Sequence, residues 1–127
     1  MLLCILRSLP SCHGEEMVRL AIRYRDLPCG VIGIDVAGDE GNYPLRLHTS
    51  ALRMAREEGL PVTVHAGEWG AAAEMQDSLS LALELGTRRI GHGLALASHP
   101  KLRQLVKERQ VNHIATIDAK RGYRVGG

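Results

Sequence analysis

Aromatic side chains are scarce in this sequence, which has no phenylalanine and only 3% aromatic residues among 127. A hydrophobic core must therefore come from aliphatic side chains, and the hydrophobic fraction of 45% is enough for one modest domain. The 16 basic and 14 acidic residues are spread along the chain. Because no basic stripe is interleaved with aromatic residues, we do not expect a nucleic acid as partner.

Long apolar runs and paired cysteines are also missing. The apolar start ends at Arg7, whereas a secretory signal has a basic start and a longer apolar run, and a membrane span needs about 20 apolar residues. The three cysteines are an odd number without paired spacing, which favours free thiols in a reducing compartment. We therefore expect a cytoplasmic chain with no membrane partner.

Short apolar runs alternate with segments of helical spacing. The runs are Leu2–Leu6, Val31–Val36, Pro61–Val64 and Arg89–Gly91, and they recur about every thirty residues, the length of one strand-helix-strand unit. Such runs are typical of strands buried on both faces of a parallel sheet. The alternation predicts the α/β class with a parallel sheet.

The repeat length does not separate a closed barrel from an open, doubly wound sheet. No Gly-x-Gly-x-x-Gly motif follows any run, so a dinucleotide-binding fold has no support. In a (β/α)8 barrel, the carboxyl ends of the strands and the loops after them form the active-site face. Four reactive or permissive residues follow the last three runs in this way, which favours the barrel and one shared site: Gly38, His65, Glu68 and His92.

His65 and His92 are candidates for metal chemistry, because neutral imidazole is the commonest metal ligand and zinc binds it readily. A lone histidine is more often structural, so a satisfied structural residue is the alternative for His65. His92 lies between Gly91 and Gly93. For His92, orienting a metal-bound water and bonding a backbone carbonyl are equally supported interpretations.

Glu68 and Gly38 complete the candidate set. A carboxyl group in a partly apolar cavity keeps its proton more easily, so Glu68 suits a general acid. A compatible alternative for Glu68 is an acid near the start of a helix that begins near Ala71. Gly38 would allow close approach of the backbone to a ligand. Asp35 could hold a metal-ligating side chain in place without binding the metal itself.

The other polar residues near these motifs are interpreted as peripheral. Asp39 and Glu40 are predicted to be loop or capping residues on the rim, and Trp69 is predicted to be a packing residue. Three histidines without convergent partners are predicted to lie on the surface: His13, His48 and His99.

Three strings together resemble the adenosine deaminase family: Asp-Val-Ala-Gly-Asp-Glu at 35–40, Val-His-Ala-Gly-Glu at 64–68 and Arg-Ile-Gly-His-Gly at 89–93. The likeness runs from about Leu2 to about Gln110. It implies a (β/α)8 TIM barrel that binds one zinc ion. It also implies an enzyme of purine salvage that removes the 6-amino group of adenosine or deoxyadenosine by hydrolysis, which gives inosine or deoxyinosine and ammonia. The implied partner is a small-molecule nucleoside.

The resemblance also implies a role for each matched residue. His65 matches a zinc ligand, and Glu68 matches the acid that protonates the purine ring nitrogen next to the reacting carbon. His92 matches the histidine that orients the zinc-bound water. Gly38 matches the glycine whose backbone amide contacts the purine.

Two elements of the family pattern do not occur in these 127 residues: a His-x-His pair on the first strand and an Asp-Asp pair after the eighth. The resemblance thus predicts a partial barrel domain at 1–110, with about the third to sixth strands of the family, and a divergent tail at 111–127. The chain contains one of the four protein zinc ligands of the family pattern, so the isolated chain is expected to be inactive. The alternatives are a non-enzymatic truncated product of a deaminase gene, or a related deaminase acting on a modified adenine nucleotide.

Overall fold

The computed structural model describes residues 1–114, in which parallel strands alternate with helices. The strands are β1 (Leu2–Leu6), β2 (Gly33–Ala37), β3 (Val62–Ala66), β4 (Arg89–His92) and β5 (Asn112–Ile114). The helices are α1 (Ser11–Tyr24), α2 (Thr49–Glu57), α3 (Ala72–Glu84) and α4 (Pro100–Glu108), with short 3₁₀ turns at Leu45–His48 and Leu94–Ser98. The α/β class predicted from the alternating runs is confirmed.

Each strand pairs in parallel with the strand that follows it along the chain, so the sheet order is β1-β2-β3-β4-β5. A doubly wound sheet reverses its order at a switch point, and the five described strands show no such reversal. Neighbouring parallel strands in chain order are what a (β/α)8 barrel contains. The described residues are therefore a run of barrel-like strand-helix units.

The fifth strand lies outside the four runs from which strands were predicted. β5 pairs with β4 in the register Ile90 to His113. Its polar start, Asn112 and His113, gives no apolar-run signal, so hydrophobic periodicity does not indicate it. β5 follows residue 110, the predicted end of the barrel domain, and the division into two domains stays a prediction. The rest of the predicted tail, 115–127, lies outside the described residues.

The helices cover one face of the sheet, here called the helix-covered face. It is defined by buried residues at alternate strand positions: Ile34, Val36, Val64, Ala66 and Ile90. These side chains pack in one core with apolar residues of the helices. Because burying a large aliphatic side chain stabilises a fold by roughly 1.5–3 kcal/mol, this face provides much of the stability.

The opposite face of the sheet, here called the site face, is defined by Asp35, Thr63 and His65. These three residues are only half-buried within residues 1–114. In β1, which pairs with β2, Leu2 and Leu6 also remain exposed. The prediction of strands buried on both faces is therefore wrong for this part of the chain, because the described helices cover only one of the two faces.

Two further observations concern the helices and the cysteines. Among the helices within 1–114, none has the length and apolar character needed to cross a membrane. Cys4, Cys12 and Cys29 are exposed free thiols. Partial burial of the Cys4 thiol and the nearby charge of Asp35 raise its pKa, which favours the neutral form.

Candidate active site

The four candidate residues lie at one edge of the sheet. Ala66 and His92 are register partners, so β3 and β4 end level with each other. Gly38 directly follows β2, His65 is the last residue but one of β3, and Glu68 lies shortly beyond the end of that strand. Because parallel strands end at the same edge, these residues lie at neighbouring carboxyl ends.

His65 faces the carboxylate of Asp35 on the neighbouring strand. Its Nε2 lies 3.3 Å from Oδ2 of Asp35. Gly91 in β4 gives the His65 ring room, because a Cβ at that position would lie 3.1 Å from its Nδ1. Asp35 thus lies where the sequence interpretation expected support for a ligating group.

The pair of His65 and Asp35 fits one part of a zinc site. Zinc binds both imidazole nitrogen and carboxylate oxygen, and a catalytic zinc site uses three protein ligands. Oδ1 of Asp35 is buried and has no hydrogen-bond partner among the described residues, so this carboxylate has an unused acceptor beside His65. Within residues 1–114, however, no group of three or more His, Cys, Asp or Glu side chains is arranged to hold a metal ion. The residues present therefore do not make a complete metal site.

His92 has a left-handed backbone with φ at +65°, which is uncommon for any residue other than glycine. Its register partner Ala66 is buried on the helix-covered face, and regular alternation would aim His92 the same way. Instead, the His92 ring centroid lies 5.1 Å from that of His65, with 55° between the ring planes. The left-handed turn therefore accounts for a ring directed to the site, at a backbone cost of roughly 1–3 kcal/mol.

Glu68 and His92 are in contact. Nε2 of His92 lies 3.4 Å from Oε2 of Glu68, and the Glu68 side chain is 44% exposed. Glu68 therefore extends into accessible space beside the imidazole. The alternative role as a first-turn acid is not what the structure shows, because α3 begins at Ala72 and its first-turn acid is Glu74.

Gly38 takes a backbone conformation that favours glycine, with φ at +115°. A Cβ at Gly38 would lie 3.5 Å from the nearest atom, the backbone nitrogen of Arg7, which is ordinary contact. The backbone conformation, and not lack of space, therefore explains the glycine. Contact between its amide and a purine stays a prediction.

Glu40 corrects one sequence prediction, since it is not a rim residue. It is 2% exposed, and its carboxylate accepts hydrogen bonds from three backbone N–H groups. The donors are Gly67 at 2.9 Å, Glu68 at 2.9 Å and Trp69 at 3.4 Å. The sequence does not show whether a carboxylate in a loop after a strand is buried or solvated. Glu40 is buried because the fold places the next loop over it.

Asp39 and Trp69 lie on the outer side of the same loops. Asp39 accepts hydrogen bonds from the side-chain amide of Asn42 at 2.7 Å and from its backbone N–H at 3.1 Å. These bonds hold the pKa of Asp39 below its usual value, and the loop position predicted for it is confirmed. Trp69 is 50% exposed, so the packing role predicted for it is met only in part, against Gly41.

Arg7 is a buried residue next to the candidate site that the sequence interpretation missed. It is fully buried, and its guanidinium donates to the carbonyl oxygens of His65 at 2.7 Å and Tyr43 at 3.1 Å. Burial lowers the pKa of Arg7, while the charge of Glu40 acts in the opposite direction. One feature of the sequence indicates Arg7: it directly follows the first apolar run, just as the candidate residues follow the other runs.

The surface position predicted for His48 is also wrong. Its side chain is fully buried, and its Nε2 lies 3.2 Å from the carbonyl oxygen of Arg7. His13 and His99 are half-buried and not fully at the surface. A histidine near a helix start gives no sign of its burial, because the packing of α1 on α2 around His48 is a long-range feature.

The family model described as adenosine deaminase matches residues 1–115. The chain belongs to the adenosine deaminase family. An adenosine deaminase from Clostridium kluyveri is 37% identical over 111 residues, which is 87% of this chain and 30% of the relative. The resemblance seen in the three motifs is thus confirmed. The chain spans about 30% of the length of the curated relatives it matches.

Solved structures agree with this assignment. The N6-methyl-AMP deaminase from Arabidopsis thaliana superposes with a TM-score of 0.75 at 27% identity, covering 88% of this chain and 31% of that one. An amidohydrolase from Burkholderia ambifaria, solved with bound zinc, gives a TM-score of 0.73 at 26% identity over 88% of this chain and 30% of its own. The described strands and helices therefore match part of a deaminase fold.

Proposed function

We propose that the described residues form part of the active site of a zinc-dependent deaminase that hydrolyses adenosine or deoxyadenosine to inosine or deoxyinosine. The contact of Glu68 with His92, beside His65, is the observation that carries the proposal. Family membership supports the reaction class, and the relative from Clostridium kluyveri supports the nucleoside substrate.

Glu68 is the acid in this proposal. Water adds to the ring carbon that bears the amino group more readily when the adjacent ring nitrogen is protonated, because the ring then accepts the electron pair of the breaking double bond. A carboxyl group that projects into accessible space beside the imidazole can donate that proton. The attacking water gives up two protons: one passes to the amino group, which leaves as ammonia, and the other restores the Glu68 carboxyl group. The net change is adenosine plus water to inosine plus ammonia.

His92 orients the attacking water in the same step. Its Nε2 lies 3.4 Å from the Glu68 carboxylate, so the water-orienting group and the acid act from neighbouring strand ends. A bound zinc ion would lower the pKa of the attacking water. His65 would be one of its ligands, with Asp35 beside the ring to hold its orientation.

The complete protein in this proposal is a closed (β/α)8 barrel. Further strands would cover the half-exposed site face and supply the remaining zinc ligands. The amide of Gly38, at the end of β2, would contact the purine. The exposed Leu2 and Leu6 of β1 and the matches to much longer relatives support this view.

The test compares two variants in the native protein that contains residues 1–127. Glu68→Gln should keep zinc and lower kcat by about 100-fold or more, because it removes only the acid. His65→Ala should lose both zinc and turnover. Metal analysis and the change in ultraviolet absorbance during deamination measure the two properties. Glu58→Gln is the matched control, since Glu58 pairs only at the surface with Arg25.

Equal zinc loss in the two variants would contradict this division of roles. Adenosine and N6-methyl-AMP are assayed side by side, because a preference for N6-methyl-AMP would replace the nucleoside by a modified nucleotide. The isolated 127-residue chain should show neither turnover nor stoichiometric zinc. Conversion of adenosine by that chain, abolished by Glu68→Gln, would overturn this expectation.

A further inference from the structure

A buried pair of opposite charges lies beneath the candidate site. Arg7 follows β1, and Glu40 lies in the loop after β2. Both side chains are almost completely excluded from solvent, and Nη2 of Arg7 lies 3.9 Å from Oε1 of Glu40. Neither side chain takes a direct part in the chemistry proposed above for His65, Glu68 and His92.

The Glu40 carboxylate fixes the backbone on which Glu68 is mounted. Oε1 accepts the N–H of Gly67, and Oε2 accepts those of Glu68 and Trp69. Three consecutive amides thus point at one carboxylate. Such charge-assisted hydrogen bonds are stronger than neutral ones and fix direction as well as distance.

Arg7 fixes the end of β3 from the other side. Its guanidinium donates to the carbonyl oxygen of His65 at 2.7 Å. Its own backbone is held in turn, because its N–H donates to Ala37 at 2.9 Å and its carbonyl oxygen lies 3.2 Å from Nε2 of His48. The guanidinium therefore joins the ends of β1 and β3.

Stability alone is a weak reason for such a pair. Removing two charges from water is costly, and apolar replacements of a buried ion pair are often as stable or more stable. A separation of 3.9 Å is also long for a strong ion pair. The hydrogen bonds of both side chains instead end at backbone groups, which include the carbonyl oxygen of His65 and the N–H of Glu68.

We propose that Arg7 and Glu40 are positioning residues for the deamination site. Glu40 sets the backbone of the loop at 67–69, which carries Glu68, and Arg7 holds the carbonyl of His65 and neutralises Glu40. The inference rests on the proposed function for its effect on turnover. Its effect on the loop backbone is independent of that function.

The test is Glu40→Gln in the native protein that contains residues 1–127. Glutamine keeps the size of the side chain, but its NH₂ group cannot accept a hydrogen bond from an N–H group of the loop. The substitution also removes the negative charge that faces Arg7. We expect kcat per folded molecule to fall about 100-fold with little change in KM, because a small displacement of a reacting group has this effect. Glu74→Gln is the matched control, since Glu74 pairs with Arg46 at the surface.

Hydrogen–deuterium exchange of the segment 67–70 is the second readout. Loss of a hydrogen bond worth about 1.4 kcal/mol raises exchange about tenfold, and we expect at least this increase in Glu40→Gln and none in Glu74→Gln. If the native protein has no deaminase activity, the proposed function fails, while this exchange still decides the positioning role.

Unchanged exchange at 67–70, or a kcat within twofold of the wild type, would overturn the inference. A fall in activity explained entirely by a smaller folded fraction would do the same. Should Glu40→Gln not fold, Glu40→Asp keeps the charge but withdraws the carboxylate by one methylene. It should show a lower kcat and faster exchange at 67–70 than the wild type, and wild-type values for both would contradict the proposal.

Discussion

The two faces of the sheet differ sharply although the same short strands form both. On the helix-covered face, Ile34, Val36, Val64 and Ile90 are almost completely buried in an aliphatic core. On the site face, Asp35, Thr63 and His65 are polar and half-buried. Because successive residues of a strand point to opposite faces, the core residues and the candidate site residues occupy adjacent positions in the sequence.

This separation makes the strand register decisive. A shift of one residue would move Asp35 and His65 into the apolar core and Ile34 and Val64 onto the site face. His92 is the exception, because its left-handed backbone accounts for a ring that lies beside His65 although its register partner Ala66 is buried. The carboxyl end of β4 thus departs from regular alternation at the candidate site.

Ile90→Ala should give the largest loss of stability, because it opens a cavity in the helix-covered face. Truncation of a fully buried isoleucine costs about 2–5 kcal/mol of unfolding free energy. Urea denaturation of the native protein that contains this chain measures the loss. A change below about 1 kcal/mol would mean that the two faces do not divide stability as described.

Asp35→Asn should change stability by no more than about 1 kcal/mol, since the side chain lies on the half-buried site face and a neutral amide avoids a partly buried charge. Zinc affinity should fall about 10- to 100-fold, because the carboxylate beside His65 is lost. A competition titration with a chelator measures the affinity. Loss of stability equal to that of Ile90→Ala would contradict the comparison.

His92→Asn should have the smallest effect on stability, a change of about 0.5 kcal/mol or less, because asparagine tolerates the left-handed backbone. Deaminase turnover should nevertheless fall by about 100-fold or more, since the imidazole proposed to orient the water is lost. His92→Val is the comparison, because a β-branched residue is strained in that backbone. Equal thermal midpoints for the two variants would refute the role assigned to the left-handed turn.

Local sequence patterns predicted the elements and the motifs more completely than the contacts between them. The apolar runs located β1 to β4, and the residues after the last three runs located Gly38, His65, Glu68 and His92 at one edge. β5 was not predicted, because its pairing with β4 is set by register and not by an apolar run. The sequence predicts a rim position for Glu40 and a surface position for His48, and both predictions are wrong because the burial of these residues depends on partners far along the chain.

The sequence by itself determined the alternation of strands and helices and the family, since both depend on short-range spacing and on the residue types at strand ends. Only the tertiary structure decided that Arg7 and Glu40 lie buried beneath the candidate site. It also decided that the His92 ring lies beside His65 and not in the core. These features require segments distant in sequence to meet, and the energies of burial and of backbone strain that govern them arise only in the folded chain.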